Sequence, residues 1–264
     1  MSRLSLSFGS VLVTLFGYGF LCLIIFAIAY GLVTLDYNII QENINLYLQG
    51  LVNTLWLVAL SLVIGLVLAV PLALAANSQK FWLKWPVASY TYVFRGTPLL
   101  VQVYLIYYGS GQFEAIKESF LWPVLREAYL CALIAFVLNT AAYTTEIFRG
   151  AIKATDRGEV EAARACGMSY GLMLRRIILP SAFRRALPAY SNEVIFMLHG
   201  SAIASIITVV DLTGAARIVN SRFYAPYEAF VTAALFYMAL TFILIGCFKL
   251  LEQHWYKHLR PRQA

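Results

Sequence analysis

Hydrophobic positions along the chain gather into long stretches that contain no charged residue. Six such stretches, of 17 to 37 residues, lie at 4–35, 43–79, 96–113, 128–145, 194–210 and 229–248. About 20 consecutive apolar residues let a helix cross the hydrocarbon core of a membrane. The pattern therefore predicts an all-α, polytopic transmembrane helical bundle, with spans at about 9–35, 48–76, 92–111, 128–149, 188–210 and 228–250.

The composition excludes a soluble enzyme. Of the 264 residues, 61% are hydrophobic and 12% are charged, whereas a soluble domain has about 45–50% apolar and about 25% charged residues. The net charge of +7 would, taken alone, be compatible with nucleic-acid binding. A nucleic-acid surface, however, does not require long uncharged stretches, so the charge needs another explanation.

The distribution of basic residues supplies that explanation. Sixteen of the 20 Lys and Arg residues lie in or beside the N-terminus, 77–91, 150–187 and the C-terminal tail. The opposite side holds four basic and seven acidic residues. Because cytoplasmic loops are enriched in Lys and Arg, this asymmetry predicts that both termini are cytoplasmic.

The chain divides into an N-terminal transmembrane helix at 1–40, a transmembrane domain at 41–255 and a tail at 256–264. Within the first span, Ala27-Ile28-Ala29 could mimic a signal-peptidase site. The apolar stretch is about twice the 7–15 residues of a secretory signal, which favours an uncleaved anchor. Cleavage would leave five spans in the same orientation.

No cofactor site is evident in the sequence. The chain has no GxxxxGK[ST] phosphate-binding loop. Its four cysteines lack metal-ligand spacing, and His254 and His258 have no carboxylate or cysteine that would complete a site. We therefore expect no cofactor in this chain and find no support for an intramembrane enzyme.

The cytoplasmic segment 150–187 is far longer than the 2–8 residues that usually connect two helices. Asp156 followed by Glu159 is typical of a helix start, and Gly167 can end that helix in a left-handed conformation. A second helical stretch is predicted to stop at Pro180. We therefore expect two short helices that project into the cytoplasm.

The same segment carries a family pattern. The run Glu161-Ala162-Ala163, then Gly167, then Ile177, Leu179 and Pro180 resembles the "EAA" loop of bacterial ABC-importer permeases. That resemblance implies a coupling helix that docks on a cytoplasmic ATPase through Glu161, Ala162, Ala163, Arg164 and Gly167. The alternative is a surface amphipathic helix with accidental spacing.

A narrower resemblance covers about 48–255. The segments 94–98 with Gln102, 139–148 and 187–195 are similar to the M-type permeases for histidine, arginine, ornithine and opines. The resemblance implies a five-span core in the bacterial inner membrane, so residues 1–40 are an addition. The implied partners are a periplasmic amino-acid-binding protein, a second homologous permease and two ATPases that hold ATP and magnesium. A heterodimer is favoured, and a homodimer stays open.

Two carboxylates, Glu146 and Glu193, lie inside predicted spans. A charge at the bilayer centre costs about 2.5–3.5 kcal/mol on insertion scales, so such residues usually face a bundle interior or a water-filled cavity. Helical spacing places further polar residues beside them. The predicted substrate pathway comprises Asn139, Tyr143, Thr144, Glu146, Asn192, Glu193 and His199.

Each of these assignments has a structural alternative. Glu146 can pair with Arg95 or Arg149, and Asn, Thr and His199 can hydrogen-bond between helices. Asn53 and Thr54 are weaker pathway candidates. If the carboxylates are uncompensated, they favour a cationic amino acid as substrate. The alternative function is an ion-gradient-driven transporter or channel with Glu146 as a proton site, although no internal repeat of the kind found in such transporters is evident.

Overall fold

The computed structural model describes residues 16–19, 21–23, 31 and 33–255. Most of the predicted first span and the tail at 256–264 therefore lie outside the described residues. Over the described part of the chain the regular structure is helical, with no β-strand. This confirms the all-α class.

Twelve α-helices are described from residue 37 onward. They are α1 (Tyr37–Glu42), α2 (Ile44–Ala76), α3 (Phe81–Gly96), α4 (Leu99–Tyr104), α5 (Glu114–Lys117), α6 (Trp122–Leu125), α7 (Ala128–Lys153), α8 (Arg157–Ala165), α9 (Tyr170–Met173), α10 (Leu179–Gly200), α11 (Leu212–Phe223) and α12 (Pro226–Trp255). Leu105–Gly109 and Leu174–Ile178 are π-helical, and Ser201–Ile207 is a 3₁₀ helix.

Three helices among the described residues, α2, α7 and α12, are long and apolar enough to cross a membrane. They match the predicted spans at 48–76, 128–149 and 228–250. A fourth span results if Tyr170–Ile207 and α11, which meet at an angle of 46°, are counted together. This bent pair covers the predicted span at 188–210, but its first helix begins well before residue 188.

The predicted continuous span at 92–111 is wrong. Helix α3 occupies much of the predicted loop at 77–91 and ends at Gly96, and α4 starts only after Pro98. Thr97 is extended, with φ −113° and ψ 142°, because the ring of a following proline disfavours the helical conformation. The break leaves Leu99–Gly109 as a short apolar helix.

The predicted helix end at Pro180 is also wrong. From Tyr170 the chain continues through the π-helical turn and α10 without interruption as far as Ile207. A proline inside a helix removes one backbone hydrogen bond and clashes with the carbonyl four residues earlier. The π turn at Leu174–Ile178 ends two residues before Pro180, so the backbone departs from regular α-helical hydrogen bonding next to the residue that lacks a donor.

Helices α2 and α7 pack closely because of a glycine. A Cβ on Gly65 would lie 2.5 Å from Cγ2 of Thr140, closer than two carbon atoms can approach. Near the start of α2, a Cβ on Gly50 would lie 2.7 Å from the carbonyl oxygen of Asp211. At these two glycines α2 is thus fitted closely against backbone or small side chains of other elements.

The junction between Ile207 and α11 is held by polar side chains of α2. Thr208 has a left-handed backbone, with φ 73°, and the Asp211 carboxylate caps α11 by accepting from the Gly214 amide at 2.7 Å. The Thr54 hydroxyl accepts from the Leu212 amide at 3.0 Å, and the Asn53 amide donates to the Val210 carbonyl at 2.8 Å. Both weaker pathway candidates therefore have structural partners here.

We expect Thr54→Val to destabilise this junction. Thr54 is fully buried, and valine keeps its shape but leaves the Leu212 amide without an acceptor, which costs about 1–3 kcal/mol. The apparent Tm of the detergent-purified protein should fall. Thr54→Ser keeps the hydroxyl, so its apparent Tm should be closer to that of the unsubstituted protein. A larger loss of Tm in the serine variant would mean that methyl packing, and not the hydrogen bond, matters.

Candidate functional site

The predicted coupling helix forms as α8. The Asp156 carboxylate accepts a hydrogen bond from the Gly158 amide at 2.7 Å, which confirms the predicted helix start. At its end, the Gly167 amide donates to the Arg164 carbonyl at 2.9 Å and the Met168 amide to the Ala163 carbonyl at 3.1 Å. This is the hydrogen-bond pattern of a Schellman motif. Gly167 has φ +73°, as the sequence predicts.

The side chains of α8 divide into an exposed and a buried face. Glu161, Ala162, Arg164 and Gly167 are exposed. Ala163, by contrast, is only 4% exposed and belongs to a small core that includes Met173 and Ile178. Of the five residues predicted to couple to an ATPase, four therefore lie on an accessible surface, whereas Ala163 fixes that surface to the chain that follows.

A cavity of about 500 Å³ lies between the start of α4, the middle of α7 and the second half of α10. Its lining includes Leu99, Asn139, Tyr143, Asn192, Glu193 and Phe196. Four of these, Asn139, Tyr143, Asn192 and Glu193, are predicted pathway residues. Glu193 is only 7% exposed, so its carboxylate is largely removed from bulk solvent.

Glu146 does not line this cavity. Its carboxylate accepts from Arg149 at 2.6 Å and 2.9 Å and lies 3.8 Å from Arg95. The Thr91 hydroxyl also donates to it at 3.4 Å. Two arginines therefore compensate the charge of Glu146, which is the structural alternative considered for this residue. Of the two alternatives left open for Glu146, its contacts are those of the structural one.

Two further predicted pathway residues also lie away from the cavity. His199 Nε2 is 3.0 Å from the Thr241 hydroxyl on α12, and the histidine lines a separate, mostly apolar hollow with Tyr237 and Phe242. Thr144 is fully buried. The structure thus brings together four of the seven predicted residues and places Glu146, Thr144 and His199 elsewhere.

Gln102 is the polar residue whose importance sequence reasoning missed. It is 6% exposed, and its Nε2 donates to the Phe94 carbonyl at 2.8 Å and to the carbonyl and hydroxyl of Thr97 at 3.1 and 2.8 Å. Its Oε1 accepts from Asn139 Nδ2 at 3.0 Å. In the sequence, the signal for a role of Gln102 was a carboxamide side chain within an otherwise apolar stretch.

The cavity, the exposed helix α8 and the helices long enough to span a membrane together point to a membrane transport subunit. The family model described as "Binding-protein-dependent transport system inner membrane component" matches residues 61–256. The chain therefore belongs to this family, and it is a permease subunit of a binding-protein-dependent ABC importer, not an enzyme.

Several permeases are similar to the chain over most of its length. It is 49% identical to the octopine transport system permease protein OccM of Rhizobium meliloti, over 78% of this chain and 84% of that protein. It is 48% identical to the histidine/lysine/arginine/ornithine transport system permease protein HisM of Escherichia coli (strain K12), over 80% and 90%. It is 44% identical to the nopaline transport system permease protein NocM of Agrobacterium fabrum, over 86% and 95%.

Solved structures agree with this assignment. A chain from an amino acid ABC transporter crystallised with histidines superimposes with a TM-score of 0.75 at 36% identity, covering 84% of this chain and 99% of that one. A chain of the inward-facing MetNI methionine ABC transporter superimposes with a TM-score of 0.64 at 16% identity, covering 80% and 96%. At that identity the second match supports the fold alone.

Proposed function

We propose that this permease carries basic amino acids, or opines derived from them, across the bacterial inner membrane into the cytoplasm. The observation that carries the proposal is the buried Glu193 carboxylate in the cavity, which can compensate a cationic side chain in transit. The substrates named for HisM, OccM and NocM support the same chemical class.

The transport cycle requires partners that provide energy and substrate. Two ATPase subunits hold ATP and magnesium and dock on the exposed face of α8, and a periplasmic binding protein delivers the amino acid. Basic residues on the side of α8 support the proposed orientation, with both termini in the cytoplasm.

A second, homologous permease subunit completes the pathway as a heterodimer. Asn192, Phe196 and His199 follow one another at helical spacing on α10 and are all exposed in the isolated chain. Polar side chains at membrane depth usually face another protein surface or a water-filled cavity rather than lipid. A partner permease packed on this face would cover them.

The alternative, an ion-gradient-driven transporter with Glu146 as its proton site, is less well supported. The Glu146 carboxylate is already paired with Arg149 and lies 3.8 Å from Arg95. It also does not line the cavity, so it is not placed on the proposed transport path.

Uptake measurements distinguish the two functions. The permease is co-reconstituted with its ATPases and the second permease into liposomes, and radiolabelled arginine is supplied with the binding protein. We expect uptake that requires ATP inside the liposomes and persists when a protonophore collapses the ion gradient. Uptake that needs the gradient and not ATP would contradict the proposal.

A further inference from the structure

The break between α3 and α4 leaves backbone carbonyls without helical partners. The last four carbonyl groups of any helix lack an intrahelical donor. At the end of α3 the carbonyls of Phe94 and Arg95, and that of Thr97 beyond it, instead accept from side chains. Their donors are Gln102, Asn139 and Tyr143.

These carbonyls fix which way the Gln102 carboxamide points. Its nitrogen faces the carbonyl oxygens of Phe94 and Thr97, at 2.8 and 3.1 Å. A flipped amide would place Oε1 against two carbonyl oxygens, which cannot donate a hydrogen bond. The Gln102 oxygen therefore faces Asn139, and it can only accept.

Asn139 is oriented in turn. Its Nδ2 carries two hydrogens, and the two acceptors on it are Gln102 Oε1 at 3.0 Å and the Phe94 carbonyl at 3.3 Å. Both amide donors of this cavity residue are thus used by the protein. Among the described residues, the part of the Asn139 side chain that remains available for a ligand is the carbonyl oxygen Oδ1, which accepts hydrogen bonds.

The hydroxyl hydrogen of Tyr143 is also used within the protein. A phenol has one hydrogen to donate, and Tyr143 donates it to the Arg95 carbonyl at 3.4 Å. The Tyr143 oxygen can then only accept from a ligand. Together with the Glu193 carboxylate, Asn139 and Tyr143 offer the cavity three acceptors.

We propose that the helix break at Thr97–Pro98 sets the hydrogen-bonding polarity of the cavity, with Gln102 as the positioning residue that keeps Asn139 presenting an acceptor. The three acceptors of Asn139, Tyr143 and Glu193 therefore favour head groups that only donate, such as a guanidinium or an ammonium. A neutral isostere that carries its own acceptor finds no donor for it among these three residues. This inference rests on the proposed function, because it concerns the same cavity and the same class of substrate.

Arginine and citrulline test this polarity, because citrulline replaces the guanidinium by a neutral urea whose oxygen is an acceptor. The purified permease–ATPase complex is placed in lipid nanodiscs without binding protein, and binding of radiolabelled arginine is measured with citrulline as competitor. Gln102→Met removes the acceptor of one Asn139 amide hydrogen, which then becomes free to be donated to a ligand in the cavity. We expect the preference for arginine over citrulline to fall at least about fivefold.

Two other variants keep the test interpretable. Gln112→Met changes an exposed glutamine outside the cavity and should leave the preference unchanged. If Gln102→Met fails to assemble, Tyr143→Phe, which removes one acceptor and keeps the ring, should weaken arginine binding more than citrulline binding.

The outcomes separate this inference from the proposed function. Retained arginine binding with an unchanged preference in Gln102→Met, or in Tyr143→Phe where the first variant fails, overturns the polarity assignment alone. No arginine binding to the unsubstituted complex, together with no ATP-dependent arginine uptake in liposomes, overturns the proposed function and with it the inference.

Discussion

Replacing Glu193 with glutamine is expected to lower the apparent affinity for arginine by about 10- to 100-fold. The carboxylate lines the cavity and is largely shielded from water, so its charge acts on a bound cation with little screening. A hydrogen bond to a charged group contributes about 1.5–3 kcal/mol, and each 1.4 kcal/mol corresponds to a factor of ten. The measurement is arginine uptake against concentration in liposomes containing the complete importer.

Glu146→Gln is the matched control, because it makes the same isosteric change in a carboxylate that two arginines already compensate. It should leave the apparent affinity for arginine within about twofold, although the loss of the Arg149 pair can lower stability. Equal losses of affinity in both variants would show that the negative charge acts at long range and not through the cavity. No loss in either variant would remove the electrostatic basis of substrate binding.

Gly167→Asp is expected to leave membrane insertion intact while reducing ATP-dependent uptake at least about tenfold. Gly167 follows α8 with φ +73°, and a non-glycine residue held in such a conformation costs on the order of 1 kcal/mol. A Cβ at this position would touch nothing within the chain, so the new carboxylate would extend from the surface proposed to dock on the ATPase. Uptake and ATP hydrolysis are measured on the same liposomes, and hydrolysis should continue without transport.

Gly167→Asn distinguishes the causes. Asparagine has nearly the same shape as aspartate and tolerates the left-handed conformation well, but it carries no charge. Uptake close to that of the unsubstituted protein would assign the defect to charge at the docking surface, and an equal defect would assign it to the backbone. Coupled uptake in the aspartate variant itself would contradict the docking role of this segment.

Periodicity and capping rules were sufficient for several elements of this structure. Long uncharged stretches predicted α2, α7 and α12, because an apolar helix is the stable way for a chain to cross lipid. The Asp156 cap and the left-handed Gly167 were also predictable. Both depend on neighbours within a few residues, so the local sequence is sufficient to predict them.

The predictions that failed concern the effect of prolines and the contacts between elements that are distant in the sequence. A proline can stand at a break between helices, as at Pro98, or lie within a helical path, as at Pro86 and Pro180, and the residue type alone does not distinguish the two outcomes. Likewise, spacing alone placed Glu146 and Asn139 on one stripe. Only the position of α3 decides that Arg95 pairs with the first while Phe94 receives a hydrogen bond from the second.

The uninterrupted helical path from Tyr170 to Ile207 has a mechanical consequence. It begins just beyond Gly167 and passes the cavity at Asn192 and Glu193, about 35 Å further on at 1.5 Å per residue. A helical rod of this kind has no loop in which a displacement could be absorbed. In the proposed orientation the Tyr170 end of this path lies in the cytoplasm, so a displacement of that end would also rotate or tilt the wall of the cavity.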